Sequence, residues 1–401
     1  MNEHTLQEDW INAVTTAVSL IEQAGVPYTL EGIGALVVQG VMARPREKSE
    51  TRLSVQWDAM TEIQRLFHSY GAGAVEERGR ETSFLFKIDC FSFRIVCRHG
   101  EVIRTDPERL RIFFSGFALF VKSVDSFLYV LKKDDPVYLE IKKYLHRLQE
   151  SAAGQNGRAW NDEAYKAWVE RFGPPEQAAE KIRRDPEGRL AQLAAYIGDP
   201  RGKKIINLLG SHGGKALALE ILGASVTVAD ISEENAAYAR QTAAALHVDL
   251  NYIVSDVLNL PDKIQKPEND LVLMELGVLH YFVDLEPLAS LIYRLLKPGG
   301  KLVLQEFHPV SMKLVTTRGK KQVVFGNYFD KKPRERAVAF SKHLASAEEL
   351  QNKVYLREWT LGEIVTAFAQ AGLRVERLDE APNMKISDIG IPKIFTLVCS
   401  K

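Results

Sequence analysis

The stretch from Asn207 to Ser232, NLLGSHGGKALALEILGASVTVADIS, sets a glycine-containing turn between an apolar run and a helical pattern, and then ends a second apolar run on one acid, Asp230. Those residue types do a defined chemistry together. Glycine lets a ligand approach the backbone, a helix start presents unpaired N–H groups, and a carboxylate at a strand end accepts both hydroxyls of a ribose. A nucleoside-containing ligand is the first reading of this order. A second acid, Asp256, follows a later apolar run in SDVLNLP, and MELGVLHYFVD sets Glu275, His280 and Tyr281 at the end of another. An imidazole can exchange a proton near neutral pH, so His280, with Tyr281 beside it and His308 after the next apolar run, are the candidate catalytic groups. Glu275 is buried by position and needs a partner; structural pairing and work in a site are both open for it.

The elements that would position these residues read as strand and helix in alternation from Lys204 onward. IINLL, VTVAD, LNYIV, DLVLMEL and KLVLQEF are expected strands, with helices over about 214–222, 233–246 and 285–296 between them. A less regular stretch from His308 to Glu358 interrupts the pattern, after which TLGEIVTAFAQAGL reads as a helix, and RVERLDE and KIFTLVCS as the last two strands. This is the pattern of a doubly wound α/β sheet. Ahead of it, 401 residues leave room for a second α/β unit of about 150 residues with its own core. There, a helix is expected near Trp10–Ala24, a hairpin in SFLFKIDC and FSFRIVCRHGEVI, and helices from Pro107 to about Gln149. The small, polar segment SAAGQNGR, Ser151–Arg158, is the expected link, dividing the chain into 1–150 and 151–401.

Taken together, these motifs resemble the class I S-adenosylmethionine-dependent methyltransferases over about residues 158–401. The resemblance implies a Rossmann-like seven-stranded sheet closed by an antiparallel hairpin, and S-adenosyl-L-methionine as cofactor. It implies cofactor contacts from Asn207, Gly210, Ser211 and Gly213 in the turn, from Asp230 and Ile231 at the ribose, from Asp256 and Val257 at the adenine, and from Glu275 and Leu276 after the fourth strand. LLKPGGKLVLQEF matches the family's helix, glycine turn and fifth strand. Proteins of this kind that act on small molecules build a substrate wall from the stretch after strand five, which points to Tyr328, Tyr355, Arg357 and Trp359; a solvated hairpin with a few core aromatics is the plainer reading of the same residues. The chain departs from the family in the turn. Asn207 stands where the family has an acid, Leu209 and Ser211 stand at its first two glycines, and only Gly213 matches the third, so rearranged contacts to the methionine end are expected. The mechanism implied is direct SN2 transfer to a small-molecule acceptor.

The N-terminal run LIEQAGVPYTLEGIGALVVQG loosely resembles the opening of a nucleotidyltransferase-fold domain, but TRLSVQW lacks the carboxylate pair that holds magnesium there. Asp89 reads as a remnant of a third carboxylate. A module without catalysis, binding substrate or forming a homodimer, is expected. Lys plus Arg and Asp plus Glu are equal at 52 each, so no overall field calls for nucleic acid or an anionic membrane. The basic run around Arg44–Arg52 is the one local feature favouring an RNA methyltransferase, and a solvated loop explains it more simply. Three cysteines without CxxC spacing or a histidine cluster argue against a metal site, and the polar start and the lack of a long apolar run argue for a cytoplasmic protein without a membrane span. A cofactor-sensing or scaffold protein without catalysis is the reading from another class, and a nicotinamide-dependent oxidoreductase the competitor on the same fold.

Overall fold

In the computed structural model, which describes residues 3–43, 49–345, 350–382 and 390–401, the chain divides into two compact units, Met1–His146 and Arg147–Lys401. Most of the basic run, residues 44–48, lies outside the described residues. The C-terminal unit is built on seven strands: β1 Lys204–Leu208, β2 Ser225–Asp230, β3 Asn251–Val254, β4 Asn269–Glu275, β5 Leu296–Phe307, β6 Arg374–Pro382 and β7 Pro392–Ser400. They lie side by side in the order β3-β2-β1-β4-β5-β7-β6. The first five are parallel, and β7 runs antiparallel to both β5 and β6. Strand order reverses between β1 and β4, and the carboxyl ends of those two strands open the crevice where such sheets bind ligands.

Helices cover both faces, and the period of two along each strand decides which. Ile206, Leu208, Val272 and Met274 share a core with Leu288, Ile292 and Leu295 of helix Glu286–Leu295 and Phe368 of helix Leu361–Gln370. Their neighbours Ile205, Val226, Val228, Leu271 and Leu273 share the opposite core with Leu217 of helix Gly214–Ile221 and Ala236 and Ala239 of helix Glu233–Leu246. Strands buried on both faces must read as continuous apolar runs, which is why the sheet was legible as VTVAD and DLVLMEL.

The expected link is a helix. Residues 151–158 lie inside Pro136–Trp160, and the division falls at 146/147, within that helix. Alanine, glutamine and arginine among these residues suit a helix, so small and polar composition does not by itself mean a loop.

The N-terminal unit is a seven-stranded sheet in the order Glu76–Arg78, Glu81–Ile88, Phe91–Arg98, Thr51–Val55, Tyr28–Glu31, Phe117–Lys122, Arg109–Phe114. Its core gathers Trp10, Ile21, Phe67, Phe86 and Phe93. The helices expected from Pro107 begin later, because RLRIFF and FALFVK form a hairpin. Phe, Ile and Val favour strands, and Ser115 and Gly116 both take positive φ, 47° and 84°, as a two-residue hairpin turn requires. Asp89 sits exposed in the turn between Glu81–Ile88 and Phe91–Arg98 with φ of 52°. In strand Thr51–Val55, Arg52 pairs with Glu81 at 3.3 Å. Among the described residues no group of three or more His, Cys, Asp or Glu could hold a metal, and no helix is long and apolar enough to cross a membrane.

Candidate functional site

The carboxyl ends of β1, β2, β3 and β4 surround a cavity of about 650 Å³ within the C-terminal unit. Its floor is the turn after β1. Leu209, Ser211 and Gly213 take φ of 51°, 49° and 71°, so the left-handed backbone that glycines usually supply is kept with leucine and serine in two of the three places. Neighbours hold it there. The Leu209 N–H donates to Ala229 O at 2.7 Å, the Ser211 N–H donates to Asp230 Oδ2 at 2.9 Å, and the Tyr252 hydroxyl donates to Ser211 O at 2.7 Å. Gly210 is obligatory for a different reason: a Cβ there would stand 2.7 Å from both Asn207 Oδ1 and Val228 Cγ1. Asn207 lies behind it, fully buried, its Nδ2 donating to Leu273 O at 3.1 Å, and it does not line the cavity. Gly213 precedes helix Gly214–Ile221 and also lies outside the lining.

Two acids face the cavity from neighbouring strand ends. Asp230 closes β2 with Oδ1 accepting from the Ser232 N–H at 3.0 Å and Asn235 Nδ2 at 3.1 Å. Burial pushes its carboxyl above the usual range, against those donors. Asp256 follows β3, accepting from the Leu258 N–H at 3.1 Å and Asn259 Nδ2 at 3.2 Å, and burial raises it as well. A carboxylate oxygen has two lone pairs, so Asp256 keeps acceptor capacity on both oxygens, while Asp230, already accepting from Ser211, Ser232 and Asn235, keeps at most about one position for a ligand. Ile231, Val257, Glu275 and Leu276 line the same space.

Three residues that the sequence reading passed over or left open bring charge to the floor. Lys215, the second residue of helix Gly214–Ile221, forms an ion pair with Glu275, each side chain less than 20% exposed. Arg189, from the short helix Pro186–Leu190, reaches over Gly214, where a Cβ would stand 2.6 Å from its guanidinium. Its Nε is buried without a hydrogen-bond partner, and it has no carboxylate partner among the described residues. Five-residue helices leave no periodic signal, so Arg189 was not legible.

The opposite wall is aromatic. Trp160 Nε1 donates to the Tyr281 hydroxyl at 2.9 Å, Trp168 Nε1 to Asn235 Oδ1 at 2.7 Å, and Trp168 meets His212 edge-on at 4.7 Å between ring centres. His280 lies against Tyr281, ring centres 4.5 Å apart. Burial lowers the His280 imidazole below its ordinary value, with Glu306 opposing; burial, helped by Arg189 and Lys215, takes His212 down to about 3. Both rings are therefore neutral at pH 7. Glu306, inside β5, fixes the loop bearing His280: its carboxylate accepts from the Gly277, Val278 and Leu279 N–H groups at 2.5, 2.8 and 3.0 Å.

Other candidates lie elsewhere. His308 Nε2 donates to Glu380 Oε1 at 2.6 Å while its Nδ1 accepts from the Val310 N–H, and it is outside the lining, which removes it as a base for this cavity. None of Tyr328, Tyr355, Arg357 and Trp359 lines the cavity either. Instead they lock the start of helix Leu361–Gln370. Arg357 donates to Val283 O and Glu363 and stacks on Trp359, Trp359 Nε1 donates to Leu279 O, and the Tyr328 hydroxyl accepts from the Leu361 N–H. The Tyr355 backbone exchanges hydrogen bonds with the Asn156 side chain. The stretch after β5 contributes Ala339, Lys342 and His343 to the wall instead.

Residues 209–304, from the turn after β1 to the middle of β5, match a methyltransferase domain family. Over 109 residues the chain is 35% identical to the demethylmenaquinone methyltransferase of Thermus thermophilus, covering 27% of this chain and 48% of that protein. The chain thus spans about half the length of that curated relative. Among solved structures, an S-adenosylmethionine-dependent methyltransferase from Mesorhizobium loti is 22% identical, with 52% of this chain and 95% of that one covered and a TM-score of 0.42. Magnesium protoporphyrin IX methyltransferase from Synechocystis PCC 6803, solved with bound S-adenosylhomocysteine, is 15% identical, with 62% and 99% covered and a TM-score of 0.39. Within the C-terminal unit, residues 209–304 are thus similar to methyltransferase domains.

Proposed function

We propose that residues 147–401 bind S-adenosylmethionine in this cavity and transfer its methyl group to a small-molecule acceptor with an apolar or aromatic face. One observation carries the reading: a turn held in glycine geometry, Asp230 and Asp256 all meet on one side of a single cavity at the strand-order reversal. The residues present fit the cofactor. Asp230 suits the ribose hydroxyls and Asp256 the adenine amino group, and Ser211 Oγ is buried in the turn with no partner of its own. When bound, the cofactor supplies an electrophilic sulfonium methyl and its own leaving group.

The chain's residues position and desolvate. Trp160, Trp168 and Tyr281 present flat, apolar surface and keep water out, which raises the effective concentration of the acceptor in line with the methyl. His280, neutral and held by the Glu306-anchored loop, accepts the acceptor's proton on an imidazole nitrogen where the nucleophile must lose one. A cavity of about 650 Å³ is of the size used for small molecules, about 300–1,000 Å³. The N-terminal unit is assigned a non-catalytic part, binding acceptor or pairing two chains, in a cytoplasmic protein.

Calorimetry tests the cofactor. S-adenosylhomocysteine should bind and NADH should not, and Asp230→Ala should weaken S-adenosylhomocysteine at least about tenfold. NADH binding alone would overturn the reading. Incubating the protein with labelled cofactor and fractionated metabolites, then finding the labelled product by mass spectrometry, identifies the acceptor.

A further inference from the structure

The methionine end of the ligand carries an ammonium and a carboxylate, and the floor of the cavity offers an unusual set of charges to receive them. Asn207, at the end of β1, has no charge, is sealed behind Gly210 and spends its amide on Leu273 O. Its Oδ1 is buried without a partner, but the residue lies outside the cavity lining and brings no charge to it. Asp230 and Asp256 fix the nucleoside end on the β2 and β3 side, so the other end of the ligand lies over the turn, toward β4. There the cavity is lined by Glu275 at the end of β4 and its ion-pair partner Lys215, and Arg189 reaches in over Gly214, the residue before Lys215. Glu275 and Lys215 neutralise one another, but Arg189 does not belong to that balance. It is a largely buried cation whose Nε lacks a hydrogen-bond partner; its guanidinium lies 5.0 Å over the Phe172 ring and against Gly214, and it lines the same cavity as Lys215. A buried cation without a counter-ion is costly unless an anionic group joins it.

We propose that Glu275 receives the ligand's ammonium and that Arg189, together with Lys215, receives its carboxylate, so that a zwitterion receptor from β4 and two helices replaces the acid missing at the end of β1. This rests on S-adenosylmethionine being the ligand. In the resulting array each charge has an opposite neighbour: ammonium with Glu275, carboxylate with Arg189 and Lys215. The receptor selects for an intact amino-acid tail, and a thioether nucleoside without that tail gains nothing from it.

Calorimetry with two probes tests the assignment. S-adenosylhomocysteine carries the tail, and 5′-methylthioadenosine shares the nucleoside and sulfur but lacks it. Glu275→Gln and Arg189→Met should each weaken S-adenosylhomocysteine about ten- to hundredfold, the span expected for losing one charge-assisted contact, with 5′-methylthioadenosine bound as by the unchanged protein. Bound 5′-methylthioadenosine also reports that each variant is folded. If both variants hold S-adenosylhomocysteine within about twofold of the unchanged protein, the assignment is overturned while the cofactor reading stands. Loss of both probes in a variant also overturns it, because the residue then serves the fold and not one end of the ligand. Should the unchanged protein bind neither probe, the cofactor reading itself falls, and that outcome is distinct from the other two.

Discussion

Leu209 and Ser211 hold a backbone conformation that costs a non-glycine residue about 1–2 kcal/mol, and Ser211 adds a buried hydroxyl without a partner. Such a cost persists where a site needs the shape and the group. Ser211→Gly should therefore stabilise the ligand-free protein by about 1 kcal/mol in urea denaturation, after the extra flexibility of glycine in the unfolded chain is subtracted. The same change should weaken S-adenosylhomocysteine in calorimetry; tighter binding would show that the hydroxyl has no ligand to meet. His280 gives a pH test. Burial disfavours its charged form, so its titration midpoint in the folded protein should lie below the ordinary value of about 6.5 when followed by NMR. Between that midpoint and about 6.5 the unfolded chain binds more protons than the folded one, so stability rises with pH across the window and the penalty is constant below it. A midpoint at or above about 6.5 would mean an imidazole charged in mildly acidic solution, unsuited to accept a proton there. Asp230, Asp256 and Glu275 were legible because each ends a readable strand or follows one directly. Glu306 was not, since an acid inside an apolar strand gives no sign of the three N–H groups it will hold.

Helix Leu361–Gln370 shows how an element can claim residues whose types suggest a binding wall. Its Thr360–Glu363 capping box makes Glu363 an acceptor for the helix start, and Arg357 and Lys331 then pair with that same carboxylate at 3.2 and 3.6 Å. Aromatic and cationic residues in an irregular stretch look alike from sequence whether they meet a ligand or a helix end, because spacing does not say which way a loop folds back. Removing one member of a buried charge network costs about 3–5 kcal/mol. Arg357→Met should lower stability by that order in urea denaturation and leave S-adenosylhomocysteine affinity within about twofold. A stable variant with weakened binding would return Arg357 to the site. The hairpin at 109–122 escaped reading for a related reason: short apolar runs fit strand and helix equally well until a turn is recognised between them, and Ser115–Gly116 is a weaker signal than Asn–Gly.

At the scale of the molecule, the two units keep separate cores, one around Trp10, Phe67 and Phe93 and the other split across the faces of the C-terminal sheet. The five parallel strands of the C-terminal sheet were readable from alternation, since parallel strands buried on both sides leave long apolar runs between amphipathic helices, whereas the antiparallel closing pair was implied by the family resemblance. The helix that crosses the division was not readable, because a small, polar composition reads as a link whether or not the backbone is helical. Among the described residues, those lining the cavity are numbered 149 or higher, so ligand binding should act on the C-terminal core. A ligand that binds only the folded state adds RT ln(1 + [L]/Kd), about 2.7 kcal/mol at a hundredfold excess over Kd. At about 2–4 °C per kcal/mol for a unit of this size, S-adenosylhomocysteine should raise the C-terminal transition of the full chain by about 5–10 °C in scanning calorimetry. The transition is assigned by Arg357→Met, which lowers it and spares the core built on Trp10 and Phe93. If the ligand instead raised only a transition that Arg357→Met leaves in place, the cavity would not be its site, and the nucleoside reading of Asp230 and Asp256 would have to be abandoned with it.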